Sequence, residues 1–179
     1  ENWKLHTRSK EKPPVKYGPN KQTTNSLISN GAVIKGKIEN SVISPGVYVG
    51  EKAVVKDSII FNGTTIKKNS QVQKSIIDKE VEIKTNCTIG TGDEFTPNES
   101  KPKLLTNGLN VIAKRATIPT GTTIKRNCRI LSCASEEDFE QTTVPSGSTV
   151  ACQTGIKVAK GNKITVKELK KKKKKVTTR

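Results

Sequence analysis

At 179 residues, with 31% hydrophobic and 3% aromatic side chains, the chain has the length of about one domain but too few bulky apolar groups for a thick globular core. It has no apolar run long enough to span a bilayer and no signal-like start, so a soluble protein is expected and a membrane partner is not. The formal net charge of +17 is concentrated at one end: residues 156–179 hold 11 Lys or Arg against one Glu, or +10, which leaves +7 for the other 155 residues.

Residues 1–24 precede any repeat. Trp3 and Leu5 alternate with polar neighbours as a short strand would, and Pro13-Pro14 stops that pattern. Because the chain starts at Glu1 and contains no Met, a further domain is expected upstream, with residues 1–24 as the lead-in segment that joins it. The lone His6 needs no catalytic role.

From Asn25 to Gly90 one segment is written four times, as Asn25-Ser-Leu-Ile28, Asn40-Ser-Val-Ile43, Asp57-Ser-Ile-Ile60 and Lys74-Ser-Ile-Ile77, starting 15, 17 and 17 residues apart. A fixed period of this size marks a solenoid. Inside it runs a beat of six: Ile43, Val49, Val55; Ile60, Ile66, Val72; Ile77, Ile83, Ile89. Three hexads with one residue dropped at a corner make a three-sided coil whose apolar residues return to one interior axis. Helical periodicity fits none of this, and an antiparallel sandwich would show hairpin turns without a constant period. Two places before the beat the residue is small in nearly every case, as in Ser41, Ala53, Ser58, Thr64, Ser70, Ser75 and Cys87. Three places before it Gly31, Gly46, Gly63, Asn69 and Asn86 recur, as expected of corners that need positive φ.

Residues 90–111 interrupt the beat with a loop rich in Gly, Asp, Asn and Pro that contains Thr96-Pro97-Asn98. At that length a loop has a functional or packing role. The beat resumes at Ile112, Ile118, Ile124 and Ile130, with Gly121 and Asn127 at corners. A second break, Glu136-Glu137-Asp138, is followed by Phe139, read as a plug or cap, and residues 144–150 supply another hexad. Beyond it Ile156, Val158, Ile164 and Val166 read as a last strand pair. The run Lys170 to Lys175 reads as a disordered tail that binds polyanions weakly and in a salt-dependent way. Without interleaved aromatic residues, no specific nucleic-acid binding is expected.

Four cysteines raise the alternatives of disulfides or a metal site. Cys87 and Cys128 fall in the small slot two places before a beat, and there is no CxxC pair and no nearby His. Reduced structural cysteines in a cytoplasmic protein are therefore expected, with no metal site.

Several ordered segments together resemble the C-terminal domain of the glucose-1-phosphate adenylyltransferase family. They are Pro13-Pro14-Val-Lys-Tyr17, the rung Asn25-Ser-Leu-Ile-Ser-Asn-Gly31, Asp78-Lys79 after Ile77, and Asn107-Gly-Leu-Asn-Val-Ile-Ala-Lys-Arg-Ala-Thr-Ile-Pro-Thr-Gly121. The likeness runs from Trp3 to about Val150. It implies an all-β fold, a left-handed parallel β-helix over residues 25–150 interrupted at 90–111, with residues 151–179 holding last strands and the Lys-rich tail. The left hand comes from the resemblance alone and runs against the usual preference for parallel crossovers. Enzymes of that family join ATP and glucose 1-phosphate into ADP-glucose and pyrophosphate, in the making of glycogen or starch. Their magnesium and ATP belong to an upstream catalytic domain, so this chain is expected to hold no cofactor and no catalytic residue of its own.

The resemblance further implies a cytoplasmic homotetramer, packing against the chain's own catalytic domain, and a site for a small anionic effector such as a sugar phosphate. Lys114 matches an effector-binding lysine in Val-Ile-x-Lys-x-Ala-x-Ile-Pro, and Lys79 falls near a second one. A cation at a solenoid corner can meet a phosphate without burying its own charge. The alternatives are an assembly domain of another sugar nucleotidyltransferase or of a translation-factor relative, set apart by the 107–121 motif and the Thr96-Pro97-Asn98 loop. A hexapeptide acyltransferase needs a histidine between coils, and His6 precedes the first rung. A carbonic anhydrase of this shape needs three.

Overall fold

A computed structural model of the chain describes residues 11–19 and 22–152. The strand expected around Trp3 and Leu5, the pair at Ile156 to Val166 and the Lys170–Lys175 run lie outside the described residues.

Among the described residues, twenty short strands stack into three parallel sheets, one per side of a triangular coil. The first face holds Lys16–Tyr17, Val33–Ile34, Tyr48–Val49, Thr65–Ile66, Glu82–Ile83 and Thr117–Ile118. The second holds Gln22–Thr24, Lys37–Glu39, Val54–Lys56, Gln71–Gln73, Thr88–Ile89, Thr123–Ile124 and Thr143–Val144. The third holds Leu27–Ile28, Val42–Ile43, Ile59–Ile60, Ser75–Ile77, Asn110–Ile112, Arg129–Ile130 and Thr149–Val150. Each strand is two or three residues long because the chain must turn every six. No described residue is in an α-helix, so no described helix could cross a membrane.

The beat residues are the core. Twelve isoleucines, from Ile34 to Ile130, are its largest fully buried side chains, with Val49, Val55 and Val72 completing the columns at 0–1% exposure. Register stacks like on like, Ile43 on Ile60 and Ile60 on Ile77, so every rung packs on the next and no thick centre is needed. Cutting one such Ile to Ala costs about 2–5 kcal/mol.

The small slots have a hydrogen-bonding reason beyond their size. The Ser41, Ser58 and Ser75 hydroxyls donate to the carbonyls of Glu39, Lys56 and Gln73 at 2.6–2.8 Å. The Ser41 and Ser58 hydroxyls also accept the backbone N–H of Ser58 and Ser75, both at 3.2 Å. A serine ladder thus satisfies corner amides that strand pairing leaves over.

Two expectations are corrected. The coil begins before Asn25, because Lys16–Tyr17 pairs with Val33–Ile34 and Gln22–Thr24 with Lys37–Glu39. Those strands carry no isoleucine beat, and backbone pairing does not demand one. Corners at positive φ are also not confined to Gly and Asn: Lys52, Asp57, Lys74, Glu80, Arg115 and Cys133 adopt φ of 45–61°. The repeating turn over-determines the conformation, so an unbranched side chain tolerates it at some cost.

The acidic break lies between the strands Arg129–Ile130 and Thr143–Val144. Glu136–Asp138 forms a single 3-10 turn, and the Asp138 carboxylate accepts the Ser135 N–H (2.7 Å) and hydroxyl (3.0 Å). Phe139 is half-buried and packs against the core.

Candidate functional site

Lys79 and Lys114 are 35 residues apart, yet they occupy the same corner on successive turns. Pairing of Glu82 with Thr117 and Ile83 with Ile118 places Lys79 opposite Lys114 and Glu80 opposite Arg115, at the ~4.8 Å spacing of neighbouring strands. Backbone bonds hold the stack: Arg115 N–H donates to Lys79 O (3.0 Å), Glu80 N–H to Asn62 O (3.0 Å) and Cys133 N–H to Lys114 O (2.9 Å). One corner therefore presents Asn62-Gly63, Lys79-Glu80, Lys114-Arg115 and Ser132-Cys133 in turn.

The charges at this corner are only loosely compensated. Glu80 Oε2 lies 3.9 Å from Lys114 Nζ and 4.0 Å from Arg115 Nε, and the three side chains are 58%, 40% and 62% exposed. The Asp78 carboxylate accepts the Lys79 backbone N–H at 2.7 Å, which fixes the turn. Three cations thus share one ridge, two of them within 4.0 Å of the exposed Glu80 carboxylate. Such a ridge can hold an anionic group by charge-assisted hydrogen bonds without desolvating a cation. It offers no nucleophile paired with a base, and neither Lys79 nor Lys114 lines the shallow concavities at residues 138–151, at Asn25 to Val42 or at Tyr48 to Thr85. Arg115 and Glu80 escaped the sequence reading because a corner position signals Gly or Asn, not a charged group.

The 90–111 interruption has a packing role. Buried Asn98 donates through Nδ2 to the carbonyls of Asn127 (3.0 Å), Gly147 (3.0 Å) and Ser148 (3.2 Å), and its Oδ1 accepts Ser100 N–H (3.1 Å) and Lys101 N–H (3.0 Å). Asn127 Nδ2 in turn donates to Thr96 O (3.0 Å), and its Oδ1 accepts Gly108 N–H (2.7 Å). The approach is close enough that a Cβ on Gly147 would lie 2.6 Å from Pro97 O. Arg126 stacks on Phe95, 5.0 Å from the ring centre, and bonds Gly92 O. The loop is thereby strapped to a corner of the last turns.

The cysteines lie as their spacing predicts. Cys87 and Cys128 are fully buried and unpaired, while Cys133 is exposed. Their thiols donate to Pro119 O (3.0 Å) and Pro145 O (3.1 Å). Burial pushes both thiols up, Cys128 to about 11. Among the described residues no group of His, Cys, Asp or Glu is arranged to hold a metal.

The family described as GlmU-like, C-terminal hexapeptide matches residues 14–112. Glucose-1-phosphate adenylyltransferases are similar over most of this chain. That of Acetivibrio thermocellus is 36% identical over 148 residues, covering 83% of this chain and 34% of the relative. Those of Pseudothermotoga lettingae and Thermotoga neapolitana are 44% and 45% identical over 149 residues, covering 83% and 35%. The chain thus spans about a third of the length of these curated relatives, at their C-terminal part. Among solved structures, the acetyltransferase domain of PglB from Neisseria gonorrhoeae is similar at 17% identity and a TM-score of 0.41, over 77% of this chain and 54% of that one, too low to bear on function.

Proposed function

Because the chain belongs to the GlmU-like, C-terminal hexapeptide family, we propose that it is the C-terminal regulatory and assembly domain of a cytoplasmic glucose-1-phosphate adenylyltransferase, acting in glycogen or starch synthesis. In this reading ATP, magnesium and glucose 1-phosphate bind upstream, and the coil supplies a tetramer contact and an effector site. The observation that carries the regulatory part is the stacking of Lys79 on Lys114, with Arg115 beside them. A dianionic phosphate arriving there meets cations from two turns, so its binding depends on how those turns are held. An effector shifts an equilibrium only by its differential contacts with two states, and a ridge shared by two turns can supply such contacts.

The test uses the full-length gene product, assayed for ADP-glucose formation while a sugar phosphate or phosphoglycerate is titrated in. Lys79→Ala and Lys114→Ala should each raise the effector's half-saturation about tenfold or more, the value of one charge-assisted contact, with turnover in the absence of effector unmoved. Unchanged half-saturation in both variants would remove the effector site. A full-length protein that makes no ADP-glucose would remove the enzymatic reading.

A further inference from the structure

We propose that the groove at the later end of the coil is the seat of the chain's own residues 156–166, which cover that end with apolar side chains. The groove has a volume of about 380 Å³ and is lined by Phe139, Val144, Pro145 and Val150, with Asp138 and Glu140 among its walls. It is the open top of the apolar core. Two beat columns end there, Ile124 on Val144 in the second face and Ile130 on Val150 in the third. Ile124 and Ile130 are fully buried, whereas Val144 is 6% exposed and Val150 only half-buried, because no described turn lies on them. A solenoid needs a cover at such an end, since each turn otherwise hides its axis against the next.

The backbone at this end is poorly suited to one more regular turn. On these two faces the last paired strands donate two N–H groups each to the turn that follows: Thr123 to Thr142 O, Lys125 to Val144 O, Arg129 to Ser148 O and Leu131 to Val150 O. One turn later the equivalent positions are Thr143, Pro145, Thr149 and Ala151. Pro145 has no N–H, and the Thr149 N–H donates to Glu99 Oε1 at 2.9 Å. Half of that ladder is therefore missing, and a cover has to bind through its side chains.

Position, pattern and charge name the occupant. Ala151 is the last residue to line the groove, and Ile156 follows it by five residues, a reach of at most about 18 Å. Ile156 and Val158 fall on one side of an extended segment, as do Ile164 and Val166, which supplies two aliphatic pairs. Lys157, Lys160, Lys163 and Lys167 are set between and beside them. The groove carries the opposite charge: residues 136–140 hold four of the chain's 16 acidic side chains, in a sequence of net charge +17. Glu136 is bonded to Lys84 and Asp138 to Ser135, while Glu137 and Glu140 are exposed beside the groove.

A second copy stacked end to end fits less well, since it brings the same acidic residues to the contact and like charges repel. The chain's own segment brings opposite charge together with apolar groups, and its tether supplies an effective concentration in the millimolar range. The assignment stops at Val166, because the run Lys170 to Lys175 has no apolar side chain to seat. Anchored in this way, that run is held at one end of the coil.

Two measurements on the full-length gene product test this: hydroxyl-radical footprinting, and carbodiimide cross-linking of a mixture of isotopically labelled and unlabelled chains. Glu137 or Glu140 should join Lys157, Lys160 or Lys163 within one chain. Ile156→Asp with Val158→Asp should lower that yield by about fivefold or more, because a carboxylate does not enter an apolar seat. The same variant should raise radical labelling of Phe139 and Val150 and leave that of Ile59, on a distant turn, where it is. Glu137→Lys with Glu140→Lys should expose Phe139 and Val150 in the same way, and adding Lys157→Glu, Lys160→Glu and Lys163→Glu should bring their protection back. That recovery separates a lost seat from a damaged coil. Equal labelling of Phe139 in the wild type and in Ile156→Asp with Val158→Asp overturns the proposal, whatever the cross-links show. Cross-links that join labelled to unlabelled chains overturn it as well and assign the groove to a second copy. Neither measurement reads ADP-glucose formation, so the enzymatic reading can fail without touching this one.

Discussion

Glu80 sits within 4.0 Å of both Lys114 and Arg115, so an anion arriving at this corner has to displace a carboxylate. Glu80→Gln should therefore tighten phosphate binding by about two- to fivefold, the worth of exposed ion pairs, while Lys114→Glu should weaken it more than Lys114→Ala. Effector titration of the full-length protein reads all three. Lys67 is a poor control, because it pairs with Glu82 at 2.6 Å. The exposed Lys68 serves instead, and Lys68→Ala should leave half-saturation where it is. The thiols yield a separate test. Cys128 is raised from 9.0 to about 11 by burial, so the neutral form is the one the fold favours. Its stabilising contribution is complete below the unfolded value and is lost as pH rises through the folded one, between roughly pH 9 and 11. At pH 8 a thiol reagent should modify exposed Cys133 quickly and leave Cys87 and Cys128 untouched until the chain is denatured.

A corner and a loop behave differently under substitution. Gly63 has φ +70°, and a Cβ placed there would meet nothing nearer than Glu80 Cγ at 3.8 Å, so any cost comes from backbone conformation and not from crowding. Gly63→Val should cost about 1–3 kcal/mol, whereas Gly63→Asn should be nearly neutral, since Asn25, Asn40, Asn69, Asn86 and Asn127 all hold equivalent corners at φ of 45–60°. Thermal melts of the two variants check this, and equal midpoints would mean that the corner tolerates branching. In the strapped loop, Asn98→Ala removes the partner of three carbonyls at once. It should destabilise by about 2 kcal/mol or more, as a buried hydrogen-bond network does when one member is cut. Hydrogen exchange should rise across 91–109 and stay low in the turns before Ile89.

At the scale of the molecule, shape and charge are distributed separately. The coil is a stack in which each turn contacts its neighbours, and the +10 of residues 156–179 follows its last turn. Deleting residues 170–179 should leave the melting midpoint unchanged and sharply lower the salt needed to elute the chain from a polyanion column, because retention scales with the number of neutralised phosphates. Retention that survives the deletion would place the basic surface on the coil itself.

What the sequence determined by itself was everything that repeats. The period of 17, the isoleucine columns, the small slots and the glycine or asparagine corners were all legible, because in a solenoid each turn meets the same environment as the last and selects the same side chains. A feature that occurs once has no such echo. The 18 extra residues between Lys79 and Lys114, beyond one period, conceal that the two stand on adjacent turns, and only strand register brings them together. Glu80, Arg115 and Cys133 fill corners against local preference because the turns on either side hold the backbone there. Asn98 stood out only as part of the Thr96-Pro97-Asn98 motif, and its anchoring role stayed hidden, since its five backbone partners are carbonyls and amides of a kind that nearly every residue carries. Hexads written in sequence specify which side chains face the axis; which of the outward ones become neighbours is decided by how many residues each turn spends at its corners, and that is settled only when the backbone hydrogen bonds between turns choose their register.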